Sequence, residues 1–144
     1  MRLETEKKLS AWVPAVAWTV LIFCVSSIPH LAVAVFRFEH FDKLAHATEY
    51  TGLGVFLTVA YWGSFSGRPR LRVVSLLAIA TGLAIAVADE AYQLTVPGRA
   101  TEFYDWMADA GGVTLGGAAM AFFYARFRPW VAGVIRRLEK GEST

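Results

Sequence analysis

Four apolar blocks dominate the chain, each close to the length of a membrane-crossing helix. They run from about residue 9 to 27, 43 to 62, 71 to 96 and 103 to 127. About 20 apolar residues, rising 1.5 Å each, cross the roughly 30 Å hydrocarbon core of a bilayer. In a chain of 144 residues that leaves little length for anything else. The expected architecture is therefore one domain over 1–144, an all-α integral membrane bundle of four transmembrane helices. Composition agrees: 56% of the residues are hydrophobic and 18% charged, whereas soluble domains carry roughly a quarter charged residues. A net charge of +2, with no basic stripe between aromatics, gives no footprint for nucleic acid, which is excluded as a partner. The single cysteine, Cys24, cannot close an internal disulfide and reads as a small packing residue of the first block.

Local signals set the expected ends. Pro14 falls in the first turns of the first block, where its missing N–H costs least, and Ser26, Ser27 and Pro29 close that block. A basic start ahead of an apolar run resembles a signal peptide. No A-x-A-like cleavage site follows, so the block is expected to be a retained helix. The stretch "GSFSGRPRLR" (63–72) is a turn-rich loop, and "PWVAGVIRRLEK" (129–140) is expected to form a separate short helix at the membrane interface.

Eleven of the fourteen Lys and Arg fall in the N-terminus, the second connection and the C-terminal region; Arg37, Lys43 and Arg99 are the others. The positive-inside rule then predicts both termini in the cytoplasm, with the chain a multi-pass protein of the bacterial inner membrane. Trp12, Trp62 and Trp130 mark the inner interface, and Tyr92, Tyr104 and Trp106 the outer one. The acids lie the opposite way. Glu39, Asp42, Glu49, Asp89, Glu90, Glu102, Asp105 and Asp109 all belong to the outer half, as do His30, His40 and His46. Counting from the inner interface puts Asp89, Glu90 and Asp109 near the outer boundary, with Glu49 about ten ångströms below it. An ionisable group at the bilayer centre costs roughly 2.5–3.5 kcal/mol on insertion scales. These groups should therefore face the bundle interior or a wet cavity.

Helical spacing supports that placement. Asp42, His46, Tyr50 and Gly54 recur every four residues, with Glu49 beside them. Ala78, Gly82, Ala86 and Glu90 form a second row, with Gln93 on the same face, and Asp105, Asp109, Gly112 and Gly116 align on a third. Small residues at this spacing let membrane helices approach closely, and the glycines from Gly111 to Gly117 read as such packing positions. The expected picture is a cup of acids with His46, Tyr50 and Gln93, opening outward beneath a rim formed by "VPGR" (96–99).

The stretches "SSIP", "FDKLAHATEYTGLG" and "ADEAYQLTVPGRATEFYDWMADAGGVTLGG" resemble the VanZ-like family of small bacterial membrane proteins. The pattern shared is D-K-x-x-H-x-x-x-Y, then D-E-x-x-Q followed by P-x-R, then D-x-x-x-[DN] with trailing glycines. It falls here on Asp42, Lys43, His46 and Tyr50, on Asp89, Glu90, Gln93, Pro97 and Arg99, and on Asp105 and Asp109. The resemblance covers about residues 20–120 and does not include Glu49. It implies a multi-span helical membrane protein and a link to low-level resistance to glycopeptide antibiotics of the teicoplanin type.

Each candidate has a plain reading as well as a chemical one. Asp42 beside Lys43, and Arg99 near Asp105 or Glu102, make ordinary ion pairs; Gln93 and Tyr50 orient acids as readily as they touch a ligand. Arg99 is also suited to clamping a phosphate or carboxylate. His46 with Glu90 and Asp105 or Asp109 offers nitrogen and oxygen ligands for Zn²⁺ or Mn²⁺. No H-E-x-x-H or comparable motif is present, so neither metal nor cofactor is expected. Thr95 and Thr101 lack an evident base. The expected ligand-binding set is Asp42, Lys43, His46, Tyr50, Asp89, Glu90, Gln93, Arg99, Asp105 and Asp109. Its expected partners are membrane lipids, including a lipid-linked cell-wall precursor, or a cationic molecule; a homo-oligomer is allowed. The alternatives are a membrane-embedded enzyme on an envelope lipid, with His46, Glu90 and Asp109 as acid and base, and a packing scaffold or small transporter.

Overall fold

The computed structural model describes residues 2–29, 41–65, 69–99 and 102–139. Among them the chain forms four helices and no strand: α1 (Arg2–Ser26), α2 (Phe41–Ser64), α3 (Leu71–Gln93) and α4 (Phe103–Glu139). Each apolar block supplies the body of one helix. Two stretches, Lys8–Ser26 and Leu71–Gln93, are long and apolar enough to cross a membrane. α2 and α4 have the length, 24 and 37 residues. His46, Glu49 and Tyr50 in the one, and Asp105 and Asp109 in the other, interrupt their apolar character. Of the residues discussed above, His30, Arg37, Glu39, His40 and Thr101 lie outside the described residues.

Three boundaries differ from the expected ones, each for a local reason. α1 starts at Arg2 because the Glu and Lys residues ahead of the apolar block are good helix formers. Pro14 therefore lies well inside the helix, not in its first turns. α3 stops at Gln93, where the last turn tightens: Thr95 N donates to Tyr92 O at 2.9 Å and Val96 N to Gln93 O at 3.0 Å. A turn from Val96 follows, closed by Arg99 N donating to Val96 O at 3.1 Å. Pro97 presets its second position, and Gly98 takes the third at φ 76°, where a side chain would be strained. At the other end of the chain, α4 runs through Pro129 to Glu139, so 129–139 is no separate helix. Pro129 removes one backbone hydrogen bond, and the helix continues past it.

The α2–α4 interface is the most extensive in the bundle, followed by α1–α2. Glycine makes it possible. A methyl group on Gly112 would meet the backbone of Ala47 and Thr51, one on Gly116 that of Thr51 and Val55, and one on Gly54 that of Val113 and Gly117. Backbone cannot swing aside, so these positions admit only glycine at this helix separation. Gly111, expected in the same role, faces open space. α1 docks through tryptophan: Trp18 covers Gly52 and donates Nε1 to Glu49 O at 2.8 Å, while Trp12 donates to Ser64 Oγ at 2.8 Å. Ile22, Leu53, Leu57, Ala78, Ala86 and Val113 fill the centre. The outer faces carry exposed large apolar side chains, among them Leu9, Val20, Leu76, Val87, Leu115 and Phe122.

Candidate functional site

The close α2–α4 approach determines what meets above it. One turn from Gly112 towards the start of α4 is Asp109, and the next is Asp105; the matching turns of α2 carry Tyr50, His46 and Asp42. With the backbones in contact, the side chains of these turns interlock. His46 Nδ1 lies 2.9 Å from Asp109 Oδ1. Lys43 Nζ donates to Asp42 Oδ2 at 2.9 Å and to Glu102 Oε2 and Asp105 Oδ1 at 3.0 Å each.

α3 closes the third side. Its buried face runs Val74, Ala78, Gly82, Ala86, Asp89 and Gln93. A strict four-residue step outruns the 3.6-residue turn, so by the last turns the most deeply buried acid of α3 is Asp89, which is 1% exposed. Glu90, the expected end of that row, is half-buried beside it. Asp89 Oδ2 accepts from Ser26 Oγ at 3.0 Å and from Gln93 Nε2 at 3.1 Å. Glu90 turns the other way: a carboxylate oxygen of Glu90, one of Asp109 and a ring nitrogen of His46 all lie within 4.8 Å of one another.

Two charged layers result. In the upper one, Lys43 gathers three carboxylates; its partner Glu102 is exposed and Asp105 nearly buried. Burial pushes the Asp42 carboxyl up, but the Lys43 ammonium more than offsets this and holds it below its ordinary value. The lower layer is the more deeply buried one: Tyr50 and Asp109 are both 0% exposed, while His46 and Glu90 are half-buried. Several of its polar atoms are buried without a hydrogen bond among the described residues: Asp109 Oδ2, Glu90 Oε1, Asp89 Oδ1 and Tyr50 Oη. A buried polar group left unpaired costs on the order of 1–3 kcal/mol, and more if charged. Glu90 and Asp109, gathered with His46 within 4.8 Å, suit a positively charged occupant or the movement of a proton between acid and imidazole.

All ten expected residues lie at this end of the bundle, though not as one open cup. His46, Tyr50, Asp89, Glu90, Gln93 and Asp109 form the buried layer, and Asp42, Lys43 and Asp105 the charged layer above it. Arg99 does not pair with Asp105 or Glu102. It donates Nη2 to Val25 O at 3.0 Å, tying the turn after α3 to the end of α1, and Lys43 takes both acids in its place. Ser26 does more than end α1: its hydroxyl donates to Asp89 across the bundle. The signal for that lay in the "SSIP" stretch, whose place in the shared pattern a helix stop alone does not explain. An apolar groove of about 260 Å³, lined by Trp12, Val16, Leu57 and Ile85 among others, shares none of these residues.

No curated protein and no solved structure matches the chain. The profile of the VanZ/LLP1 family matches residues 3–125, from the start of α1 through the body of α4. That range takes in every residue of both charged layers, and by it the chain belongs to the VanZ/LLP1 family.

Proposed function

We propose that the chain is a four-span protein of the bacterial inner membrane, with both termini in the cytoplasm, whose outward-facing polar end binds the cationic group of an envelope lipid headgroup or of a similar ligand. The Lys and Arg distribution supports the orientation, and the exposed apolar side chains on every outer face support embedding in lipid. The observation that carries the binding reading is the burial of Asp109 Oδ2 and Glu90 Oε1 without a hydrogen-bond partner among the described residues, beside His46 within one compact triad. Family membership supports an envelope role. By occupying a lipid-linked cell-wall precursor, such a site would alter how teicoplanin-type glycopeptides reach their target and so contribute to low-level resistance.

Native mass spectrometry of the gently solubilised protein beside Glu90→Gln tests this. A lipid with a cationic headgroup, retained by the wild type and lost from the variant, is the expected result. A folded wild type that neither retains nor takes up such a lipid would sink the reading. A membrane-embedded hydrolase is the second reading, favoured by the 2.9 Å His46–Asp109 contact with Glu90 alongside, an acid–base set. It requires turnover of an envelope lipid that His46→Gln abolishes.

A further inference from the structure

The two charged layers differ in one respect that decides what each can hold. Three carboxylates of the upper layer, from Asp42, Glu102 and Asp105, offer ligand atoms within 4.8 Å of one another. The Lys43 ammonium, however, already stands 2.9–3.0 Å from each of them, where a cation would sit. The lower triad of His46, Glu90 and Asp109 is equally compact and contains no ammonium. Its basic member, His46, spends one ring nitrogen on Asp109 Oδ1. Asp109 Oδ2 and Glu90 Oε1 keep no partner among the described residues, and neither does the hydroxyl of the fully buried Tyr50. Asp89 adds a third carboxylate with one oxygen unpaired. With Glu90 and Asp109 ionised, even a charged His46 leaves one negative charge uncompensated within the triad, and charge buried in an apolar bundle is tolerated only when paired or coordinated.

We infer that His46, Glu90 and Asp109 form a divalent metal site, holding Mn²⁺ or Zn²⁺ through one imidazole nitrogen and two carboxylates. The chemistry of the set fits: imidazole and carboxylate together suit first-row divalent ions. The geometry fits as well. His46 Nδ1 and Asp109 Oδ1 stand 2.9 Å apart as a hydrogen-bonded pair. An octahedral ion such as Mn²⁺, whose neighbouring ligand atoms stand about 3 Å apart, takes the place of the shared proton with little movement, while tetrahedral Zn²⁺ spreads them to about 3.4 Å. A Glu90 carboxylate oxygen lies within 4.8 Å of a ligand atom of His46 and of Asp109. Three protein ligands leave at least one position open, as in sites where the metal meets a substrate or ligand. An anionic oxygen of an envelope molecule, phosphate or carboxylate, is the chemistry that position would take. This inference rests on the reading above that the buried layer accepts positive charge, and names the charge as a metal ion.

The test uses the full chain in detergent, stripped with a chelator and titrated with Mn²⁺ and with Zn²⁺. The wild type should bind one equivalent. Asp109→Asn and Glu90→Gln should each weaken binding at least about tenfold, the loss that even an outer partner's removal brings, while Glu102→Gln in the upper layer should bind as the wild type does. Pulsed electron paramagnetic resonance of the Mn²⁺ complex should show coupling to an imidazole nitrogen that His46→Gln removes. This readout does not depend on the carboxylate variants folding. A folded wild type that binds neither ion, a complex without nitrogen coupling, or a Glu102→Gln variant as impaired as Asp109→Asn would each overturn the inference. An amphiphile with a primary ammonium headgroup, titrated in parallel, separates the two readings. If it binds and the metals do not, the metal site falls and the binding function stands. If none of them binds, both fall.

Discussion

His46 Nδ1 and Asp109 Oδ1 meet at 2.9 Å across the α2–α4 interface, and the contact is buried on the Asp109 side. Asp109 has no other partner among the described residues, so removing the imidazole strands its carboxylate. His46→Leu alone is expected to cost about 3–5 kcal/mol of stability, the usual penalty for stranding one member of a buried pair. His46→Leu with Asp109→Leu should recover much of that loss, because two apolar side chains pack there without any charge to solvate. Equilibrium unfolding in mixed micelles reads both. The double variant should be stable and unable to bind metal, which separates the site's chemistry from the fold. A double variant as unstable as the sum of its single changes would show that the pair has no such coupling.

The glycines beneath that pair hold the two helices at the distance it needs. Gly112→Ala and Gly116→Ala each press a methyl group onto opposing backbone and should cost about 1–3 kcal/mol, as overpacking does. Gly111→Ala points into open space and should be neutral or stabilise by up to about 1 kcal/mol, through helix propensity alone. Melting temperatures of the three variants give the comparison directly. Equal behaviour at positions 111 and 112 would mean the close approach is absent in the membrane-extracted protein.

Much of this was legible in the sequence because it follows from period and local chemistry. Apolar blocks gave helices and a four-residue glycine row gave the close interface; "VPGR", read as a rim, is a turn in which Gly98 takes a positive φ. What escaped has two physical origins. A strict four-residue step drifts against a 3.6-residue turn, which is why the face of α3 ends on Asp89 and Gln93 while Glu90 turns towards His46. Contacts between distant segments leave no local trace: Lys43 with Glu102 and Asp105, Arg99 with Val25, and Ser26 with Asp89 join residues about 60 or more apart. Prolines misled for a related reason. Pro14 and Pro129 disfavour helix locally, yet both sit within helices.

Lys43 touches three acids from two sides of the interface. Lys43→Met should destabilise the protein more than Glu102→Gln, since Glu102 is exposed and an exposed pair is worth about 0–1 kcal/mol. The pH dependence has a definite sign. Asp42, one residue ahead of the second expected span, has its carboxyl held below the ordinary value of 3.8. The stability it contributes is therefore present above that value and lost as pH falls through the lower, folded one. Acid unfolding of Asp42→Asn should be less steep in that range, and an unchanged profile would remove Asp42 from the account.

Asp89 draws two donors from different helices, Ser26 Oγ at 3.0 Å and Gln93 Nε2 at 3.1 Å. Hydrogen bonds between membrane helices average about 0.6 kcal/mol, but one to a charged acceptor is worth about 1.5–3. Ser26→Ala should therefore destabilise by about 1–2 kcal/mol while leaving metal titration at the His46 triad nearly unchanged. A variant with intact stability and weakened metal binding would instead place Ser26 in the site itself.

The proposed topology makes a prediction that needs no ligand at all. Phe65 and Glu102 are both exposed and flank α3, the more apolar of the two stretches able to span a bilayer. In a Cys24→Ala background, a cysteine at position 102 should react with an impermeant maleimide on spheroplasts, and one at position 65 only after lysis. Labelling of both from the same side would mean α3 does not cross. The reverse pattern would keep the spans and invert the orientation, turning the charged layers towards the cytoplasm. An envelope ligand could then reach them only from within the cell, and the headgroup reading would lose its source. Reaction at 102 alone on intact spheroplasts places Lys43, Glu102 and the buried triad beneath them on the side where cell-wall precursors and glycopeptides meet.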